Sequence, residues 1–442
     1  MINRLVLFFV DLMQKYLPNP FTLAWIITLV VFALAIGITH TNPLKTIQFW
    51  GNDFFGILSF AMQMTLLIVS GYAFAVAKPM GRFLRRIARI PNTPKQTILF
   101  VAFASMVLYW FNWGLGLIAG ALLAREIAKI RQDVDFRAVV AAAWSGIIIT
   151  HGGLSASVPL LSATPGHFLE KEIGIVPLAL TMFNPQTIFI TVVLALVIPF
   201  ICLFLIPKKE NMVVVDPASF KEEDEASFAP MPANPTLADR IDRSKLMKYS
   251  LAIVGTIYIG YFFATKGLQL NINMLNLIFI VLGVWMHDDL ISYSNAVTKG
   301  VTSAGGIVLQ FPFYAAIMGI MKGSGLVYVI SDALLKLASY DTFEFYCFIS
   351  SLVISVFVPS AGGHWVVQAP FMLPAANALG VEPWKVIMGV AWGESVWNVV
   401  CPFWALPLLA IANISIRDLI GFCIILFFVG IVVATGGIFL FP

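Results

Sequence analysis

Four runs of polar and glycine residues interrupt a chain that is otherwise apolar. The first is Pro359-Ser360-Ala361-Gly362-Gly363-His364-Trp365. Its glycines let backbone approach a ligand with no Cβ in the way. Ser360 and the free N–H groups of a following half-helix can bind an anion at the positive end of the helix dipole. His364 can lend a proton or a positive charge. The plainer alternative is a tight turn whose glycines only permit packing. The second run, Asn112-Trp113-Gly114-Leu115-Gly116, offers an amide, an indole N–H and two glycines. A kinked helix with Trp113 as an interfacial anchor would read the same way. The third run is Thr150-His151-Gly152-Gly153-Leu154-Ser155-Ala156-Ser157-Val158-Pro159. It has the hydroxyls and glycines of an unwound helix, whose carbonyls can coordinate a cation or whose amides can hold a carboxylate. For His151 the alternative is a hydrogen bond across helices.

The fourth run centres on Glu394, the only acid between Glu382 and Asp418, set in an apolar segment that breaks between Glu394 and Pro402. A carboxylate inside a membrane is costly and marks proton relays and ion pathways. Three roles stand open for Glu394: proton carrier, sodium ligand, or structural bridge to His151 or His364. Trp397 and Asn398 follow one turn later on the same face. Gln63 and Gln310 are single polar residues in apolar helices, able either to hydrogen-bond a substrate or to clip helices together. Arg and Lys are nearly absent from the apolar segments. An anionic ligand would therefore be held by amides, hydroxyls, indole N–H groups and protonated histidine, which favours a small carboxylate over a phosphate.

Composition names the setting. Of 442 residues 60% are hydrophobic and 11% charged, with a mean hydropathy of +0.90, whereas a soluble domain is about 25% charged. A soluble enzyme and a disordered regulator are excluded, and a net charge of +4 gives no reason to expect a nucleic-acid partner. Fifteen of the 50 charged side chains crowd into residues 207–248, leaving a polytopic membrane protein with one polar loop near its middle. Cys202, Cys347, Cys401 and Cys423 lie far apart in apolar surroundings, with no metal-binding or disulfide spacing. There is no G-x-x-x-x-G-K-[ST], GxSxG or HExxH motif, so neither direct ATP use nor membrane-embedded catalysis is expected, and no cofactor. Arg4 and Lys15 precede an apolar run from Phe21 to Thr39 that reads as a retained first helix rather than a cleaved leader.

The polar runs recur at a fixed interval. Gln63 and Gln310, Asn112 and Pro359, Trp144 and Trp392, and Pro159 and Pro407 are all separated by 247 or 248 residues. In lipid every backbone amide must be paired, so broken helices survive only inside protein or beside a water-filled cavity. Breaks at matching positions of two halves point to a transporter's site. After the Gln63 helix come Lys78, Arg82, Arg85, Arg86, Arg89 and Lys95 with no acid. After the Gln310 helix come Lys322, Asp332, Lys336 and Asp341, which balance. Basic loops stay cytoplasmic, so the halves read as inverted, with the N-terminus inside. The expected fold class is an all-α polytopic membrane protein of two inverted repeats with re-entrant hairpins, whose tips lie at Asn112 and at Pro359–His364. The expected divisions are 1–53 (first helix and loop), 54–206 (first repeat), 207–248 (polar cytoplasmic linker), 249–300 (scaffold helices) and 301–442 (second repeat).

The segments Asn112-Trp-Gly-Leu-Gly116, Ala163-Thr-Pro-Gly166, Gln310-Phe-Pro-Phe-Tyr314, Pro359 to Trp365 and Pro402-Phe-Trp-Ala-Leu-Pro407 resemble the bacterial short-chain fatty acid transporter family. The likeness runs nearly end to end, with Ala361 standing where glycine or serine is usual. It implies an inner-membrane secondary carrier that imports short-chain monocarboxylates such as acetoacetate and butyrate by H⁺ or Na⁺ symport. It also implies an elevator-type transport domain moving against a scaffold that pairs into a homodimer, surrounded by membrane lipid. Its site residues are expected from the chain's own pattern. Asn112, Trp113, Gly114, Gly152, Gly153, Ser155, Ser157, Ser360, Gly362, Gly363, His364, Trp365 and Asn398 are expected for substrate, and His151, His364 and Glu394 for the coupling ion or proton. A passive channel is the competing expectation.

Overall fold

A computed structural model describes residues 18–207, 209–216, 220 and 234–441. Expectations that rest on Arg4 and Lys15, and on residues 208, 217–219 and 221–233 of the polar linker, lie outside the described residues. The first half runs through α1 (Pro20–Gly37), α2 (Pro43–Asp53), α3 (Leu58–Ala75), α4 (Lys78–Ile87), α5 (Pro94–Phe111), α6 (Trp113–Ile130), α7 (Phe136–Trp144), α8 (Ser157–Ser162), α9 (Glu170–Ile173) and α10 (Pro185–Phe204). The second half begins with α11 (Leu237–Asp242), α12 (Lys245–Lys266), α13 (Ile272–Met286), α14 (Leu290–Val301) and α15 (Gly305–Ser324). It continues through α16 (Leu326–Leu335), α17 (Phe343–Ser355), α18 (Ala361–Leu379), α19 (Pro383–Asn398), α20 (Pro402–Ala412) and α21 (Ile416–Leu440). Among the described residues no strand occurs, and nine helical stretches are long and apolar enough to cross a membrane.

Local sequence sets where these helices begin. α1, α2 and α10 each start at Asn-Pro and α5 at Thr-Pro, with proline at the first helical position. Proline has no N–H to leave unpaired there, and its φ is already helical. The preceding side chain then takes the next free amide: Asn19 Oδ1 accepts from Phe21 N, Asn42 Oδ1 from Leu44 N, and Asn184 Oδ1 from Gln186 N, each at 2.9 Å. The outward faces are apolar. α12 buries only Lys248 and Ala252 and turns Leu251, Val254, Ile257 and Tyr261 outward, as a lipid-facing helix does.

Two helical hairpins organise the interior. α5 leads to Asn112 and α6 returns, so that Arg131 Nη1 donates to the Pro91 carbonyl at 3.3 Å beside the start of α5. α17 leads to Ser360 and α18 returns. Ser355 meets His364 at 3.0 Å, Gln368 donates to Ser350 Oγ at 2.7 Å, and the Cys347 and Met372 sulfurs lie 3.8 Å apart, partners spreading steadily away from the tip. The two tips share one conformation. Asn112 has φ −159° and ψ 124°, Ser360 has φ −159° and ψ 116°, and each caps the helix that follows.

The third run is unwound as expected: α7 tightens into a 3-10 turn over Ser145–Gly152, and α8 restarts at Ser157. Two expectations change in detail. Glu394 sits within a continuous helix, and only Val399–Cys401 departs from helical pairing between α19 and α20. Gly362, Gly363, His364 and Trp365 form the first turn of α18 rather than an open loop. Helical pairing wins there because the Ser360 side chain accepts from Gly363 N at 3.4 Å and starts the helix at once.

The polar linker contributes a docked strand of chain. Phe136 N donates to the Val213 carbonyl at 2.9 Å and Val213 N to Asp135 Oδ2 at 2.8 Å, while Phe220 is buried against the Phe136 ring. At the start of α4, Lys78 donates to Asp288 at 2.5 Å and holds that carboxyl below the usual carboxylate range.

The α17–α19 contact depends on Gly393, where a Cβ would stand 2.5 Å from both the Phe348 carbonyl oxygen and Ser351 Cβ. Gly393→Ala should cost about 1–3 kcal/mol through overpacking against backbone. Gly436→Ala, with nothing within 4 Å of its Cβ, should leave stability unchanged or slightly raised. Thermal unfolding of both variants in detergent checks the contrast.

Candidate functional site

The broken segments meet at the centre of the chain's two halves. Leaving a helix strands backbone groups, and here the segments satisfy one another. Leu154 N donates to the Trp110 carbonyl at 2.6 Å, and Trp113 N donates to Ser155 Oγ at 2.9 Å. The unwound run at 153–156 is thereby stitched to the first hairpin tip. Asn112, fully buried, accepts at Oδ1 from Leu115 N at 2.9 Å. Gly114 lets the tip lie on α3, since a Cβ there would be 3.1 Å from Ile68 backbone atoms. The Trp113 ring meets the Trp404 ring edge-on at 5.4 Å, bringing α20 of the second half against the first tip.

Glu394 and His151 face each other across the halves. His151 Nδ1 lies 3.2 Å from Glu394 Oε2, both side chains at most 2% exposed. The pair is close enough for an ionic contact but is not aligned as a hydrogen bond, so both atoms remain without a hydrogen-bond partner among the described residues. Asn398 Nδ2 donates to the other carboxylate oxygen at 2.7 Å from one turn along α19, as the i, i+4 spacing leads one to expect. Ser395 Oγ accepts from His151 N at 3.4 Å, and Trp144 Nε1 donates to the Val399 carbonyl at 2.8 Å. Gly152 is required by proximity: a Cβ there would fall 1.9 Å from Thr191 Oγ1 and 3.1 Å from the Trp392 ring.

His364 is buried at 0% exposure within electrostatic range of His151, yet its ring is engaged within its own hairpin. Gln368 Nε2 donates to the Cys347 carbonyl at 3.3 Å and to Ser350 Oγ at 2.7 Å. Its Oε1 must therefore face His364 Nε2, which carries the ring proton and donates it. Ser355 Oγ lies 3.0 Å from Nδ1. Ser355 and Gln368 thus brace the His364 ring from both nitrogens. Gly362 and Gly363 serve packing: Cβ atoms there would stand 2.7 Å from the Phe60 ring and 2.2 Å from the Tyr314 ring.

The remaining sequence candidates divide. Ser157 begins α8 and is buried; Trp365 is buried with its indole N–H unpaired among the described residues. Gln63 and Gln310 are not brought into the central cluster's hydrogen-bonding. Gln63 donates to Asn273 at 2.8 Å and clips α3 to α13, and Gln310 accepts from Tyr314 at 3.1 Å. Trp404, Gln368, Ser355 and Ser395 belong to the site's surroundings but were not expected from sequence. Trp404 lay in plain view in the Pro402–Pro407 segment, and the proline that starts α20 was the signal available.

What stays unsatisfied tells what the site can do. Among the described residues, the buried N–H groups of Asn112 Nδ2, Trp113 Nε1 and Trp404 Nε1 have no hydrogen-bond partner, and neither do the acceptors Glu394 Oε2 and Asn398 Oδ1. Each such group costs about 1–3 kcal/mol unless something pairs with it. Neutral donors suit a carboxylate, and a carboxylate–amide pair suits a proton or a hard cation.

Hairpins, broken helices and an internal polar cluster within an apolar shell define a membrane transporter of the broken-helix kind. The chain matches the family described as short chain fatty acid transporter over residues 1–441. A relative from Escherichia coli K12, named for short-chain fatty acid transport, is 39% identical over 438 residues, 99% of each chain. A relative from Haemophilus influenzae, named likewise, is 38% identical over 430 residues, 96% of each. The chain belongs to the short-chain fatty acid transporter family, whose members are transporters and not enzymes. Its fold is similar to that of the Alcanivorax borkumensis YdaH transporter, with a TM-score of 0.61 and 14% identity, covering 96% of this chain and 98% of that one.

Ser155→Ala should leave Trp113 N unpaired in an apolar setting and cost about 1–3 kcal/mol of stability. Ser155→Thr, which keeps the acceptor, should lose less; denaturation midpoints of the two variants decide.

Proposed function

We propose that this protein imports short-chain monocarboxylates such as acetoacetate and butyrate across the bacterial inner membrane by alternating access, coupled to H⁺ or Na⁺. The observation that carries the reading is the set of buried N–H donors at Asn112, Trp113 and Trp404 that have no hydrogen-bond partner among the described residues, together with the Glu394–His151 contact. A small carboxylate pairs with those donors without a guanidinium, and the surrounding indole rings accept a short alkyl chain. Glu394 then takes the coupling proton or ion, with Asn398 orienting its carboxylate.

On this reading the two halves are inverted repeats that exchange roles in the alternating movement. The tips at Asn112 and Ser360 correspond at an offset of 248 residues, and α1 and α2 pack on α15 much as α13 and α14 pack on α3. On that reading the repeats begin at α1 and α13, earlier than the divisions drawn from sequence. The hairpins move as an elevator against a scaffold that pairs into a homodimer within the lipid.

The test is uptake of labelled butyrate into proteoliposomes under imposed gradients. Uptake should saturate and rise with an inward H⁺ or Na⁺ gradient, and indifference to both gradients would remove the coupling. Glu394→Gln should lose about tenfold or more of gradient-driven uptake, equivalent to about 1.4 kcal/mol or more. Ser360→Ala, His364→Ala and Glu394→Gln all transporting at the wild-type rate would place the site elsewhere. For orientation, a cysteine in place of Arg86 should react with an impermeant maleimide in inside-out vesicles and not in right-side-out ones; the reverse pattern would invert the topology.

A further inference from the structure

A second buried acid lies apart from the central cluster. Glu344, 4% exposed, sits in the first turn of α17, at the open end of the second hairpin. Gln186, fully buried in the first turn of α10, donates through Nε2 to Glu344 Oε2 at 3.0 Å and lies 3.5 Å from the Phe441 carbonyl at the end of α21. Those contacts use both amide hydrogens. They leave Gln186 Oε1 and Glu344 Oε1 buried with no hydrogen-bond partner among the described residues.

Two oxygens on head groups already joined by one hydrogen bond thus lack a hydrogen. A single proton on Glu344 Oε1 supplies it: the acid O–H donates to the amide oxygen while the amide N–H donates to the acid, and both orphans are satisfied at once. We propose that Glu344 is a second proton-binding site of this protein, its proton shared with Gln186. Of the charged and titratable groups around it, Lys385 by itself favours the ionised carboxyl, and the case for the proton rests on the two orphaned oxygens. Lys385 on α19 is within electrostatic range but is occupied, donating to Tyr340 at 3.3 Å, 3.8 Å from Glu382, and over the Tyr340 ring at 4.4 Å. Its fixed positive charge opposes a metal cation at the same spot. Cys347 lies one turn along α17, α10 carries no charged residue, and those of α21, Arg417 and Asp418, are at its other end. Three residues further along α17 the Cys347 carbonyl accepts from Gln368, whose Oε1 meets His364 Nε2.

Infrared difference spectroscopy of the purified full-length protein at neutral pH tests this without any transport step. A D₂O-sensitive protonated-carboxyl C=O band should be present in the wild type, lose a component in Glu344→Gln and keep that component in Glu394→Gln. Retention of the full band in Glu344→Gln overturns the proposal. So does loss of the band on adding sodium chloride, which would make the ligand a sodium ion. If Glu344→Gln does not fold, Gln186→Leu serves instead: the band should shift to higher frequency as its hydrogen bond is lost, and an unshifted band overturns the proposal. A failure of Glu394→Gln to affect uptake would damage the transport reading while leaving this result unchanged.

Discussion

An amide that leaves a helix inside an apolar medium must find another partner, and the whole interior follows from how these chain breaks meet that demand. Asn112 and Ser360 each turn a side chain back onto the helix they start. The unwound 153–156 run cannot do this for itself. It borrows the Trp110 carbonyl and gives the Ser155 hydroxyl to Trp113 in return. The break in one helix is therefore affordable only because the neighbouring hairpin breaks beside it. Backbone irregularity is concentrated in one place, and the polar side chains it carries are concentrated with it.

Within that place, hydrogen-bonding is complete for some groups and incomplete for others. His364 is fixed by Ser355 and Gln368 and has no capacity left over. Asn112, Trp113 and Trp404 keep N–H groups free, and Glu394 keeps one oxygen free beside His151. Bracing belongs to the second hairpin and readiness to the first tip and α19. Such a division keeps one part of the cluster rigid while leaving open groups for a ligand beside it.

Much of this was legible in the sequence. Glycine, proline and asparagine cannot hide in an apolar helix, so the breaks at Asn112, Thr150–Pro159 and Ser360 were marked by residue type alone, and Asn398 was placed beside Glu394 by helical spacing. Other features were not legible because their meaning depends on distant partners. Gln63 and Gln310 match in sequence yet serve different neighbours, Asn273 and Tyr314. Gly362 and Gly363 signal close approach, but only folding shows that aromatic rings approach them. Glu344 stands at the edge of an apolar stretch, three residues after Asp341, and no local signal marks it as buried. Its burial comes from Gln186, 158 positions earlier.

The most direct measurement is a cryo-electron-microscopy map of the purified protein with butyrate bound. The expected result is carboxylate density within hydrogen-bonding distance of Asn112 Nδ2 or of the Trp113 and Trp404 indole nitrogens, with the alkyl chain against the rings. Density confined to another part of the molecule, such as the cavity lined by Lys322, Tyr328 and Asn377, would contradict it.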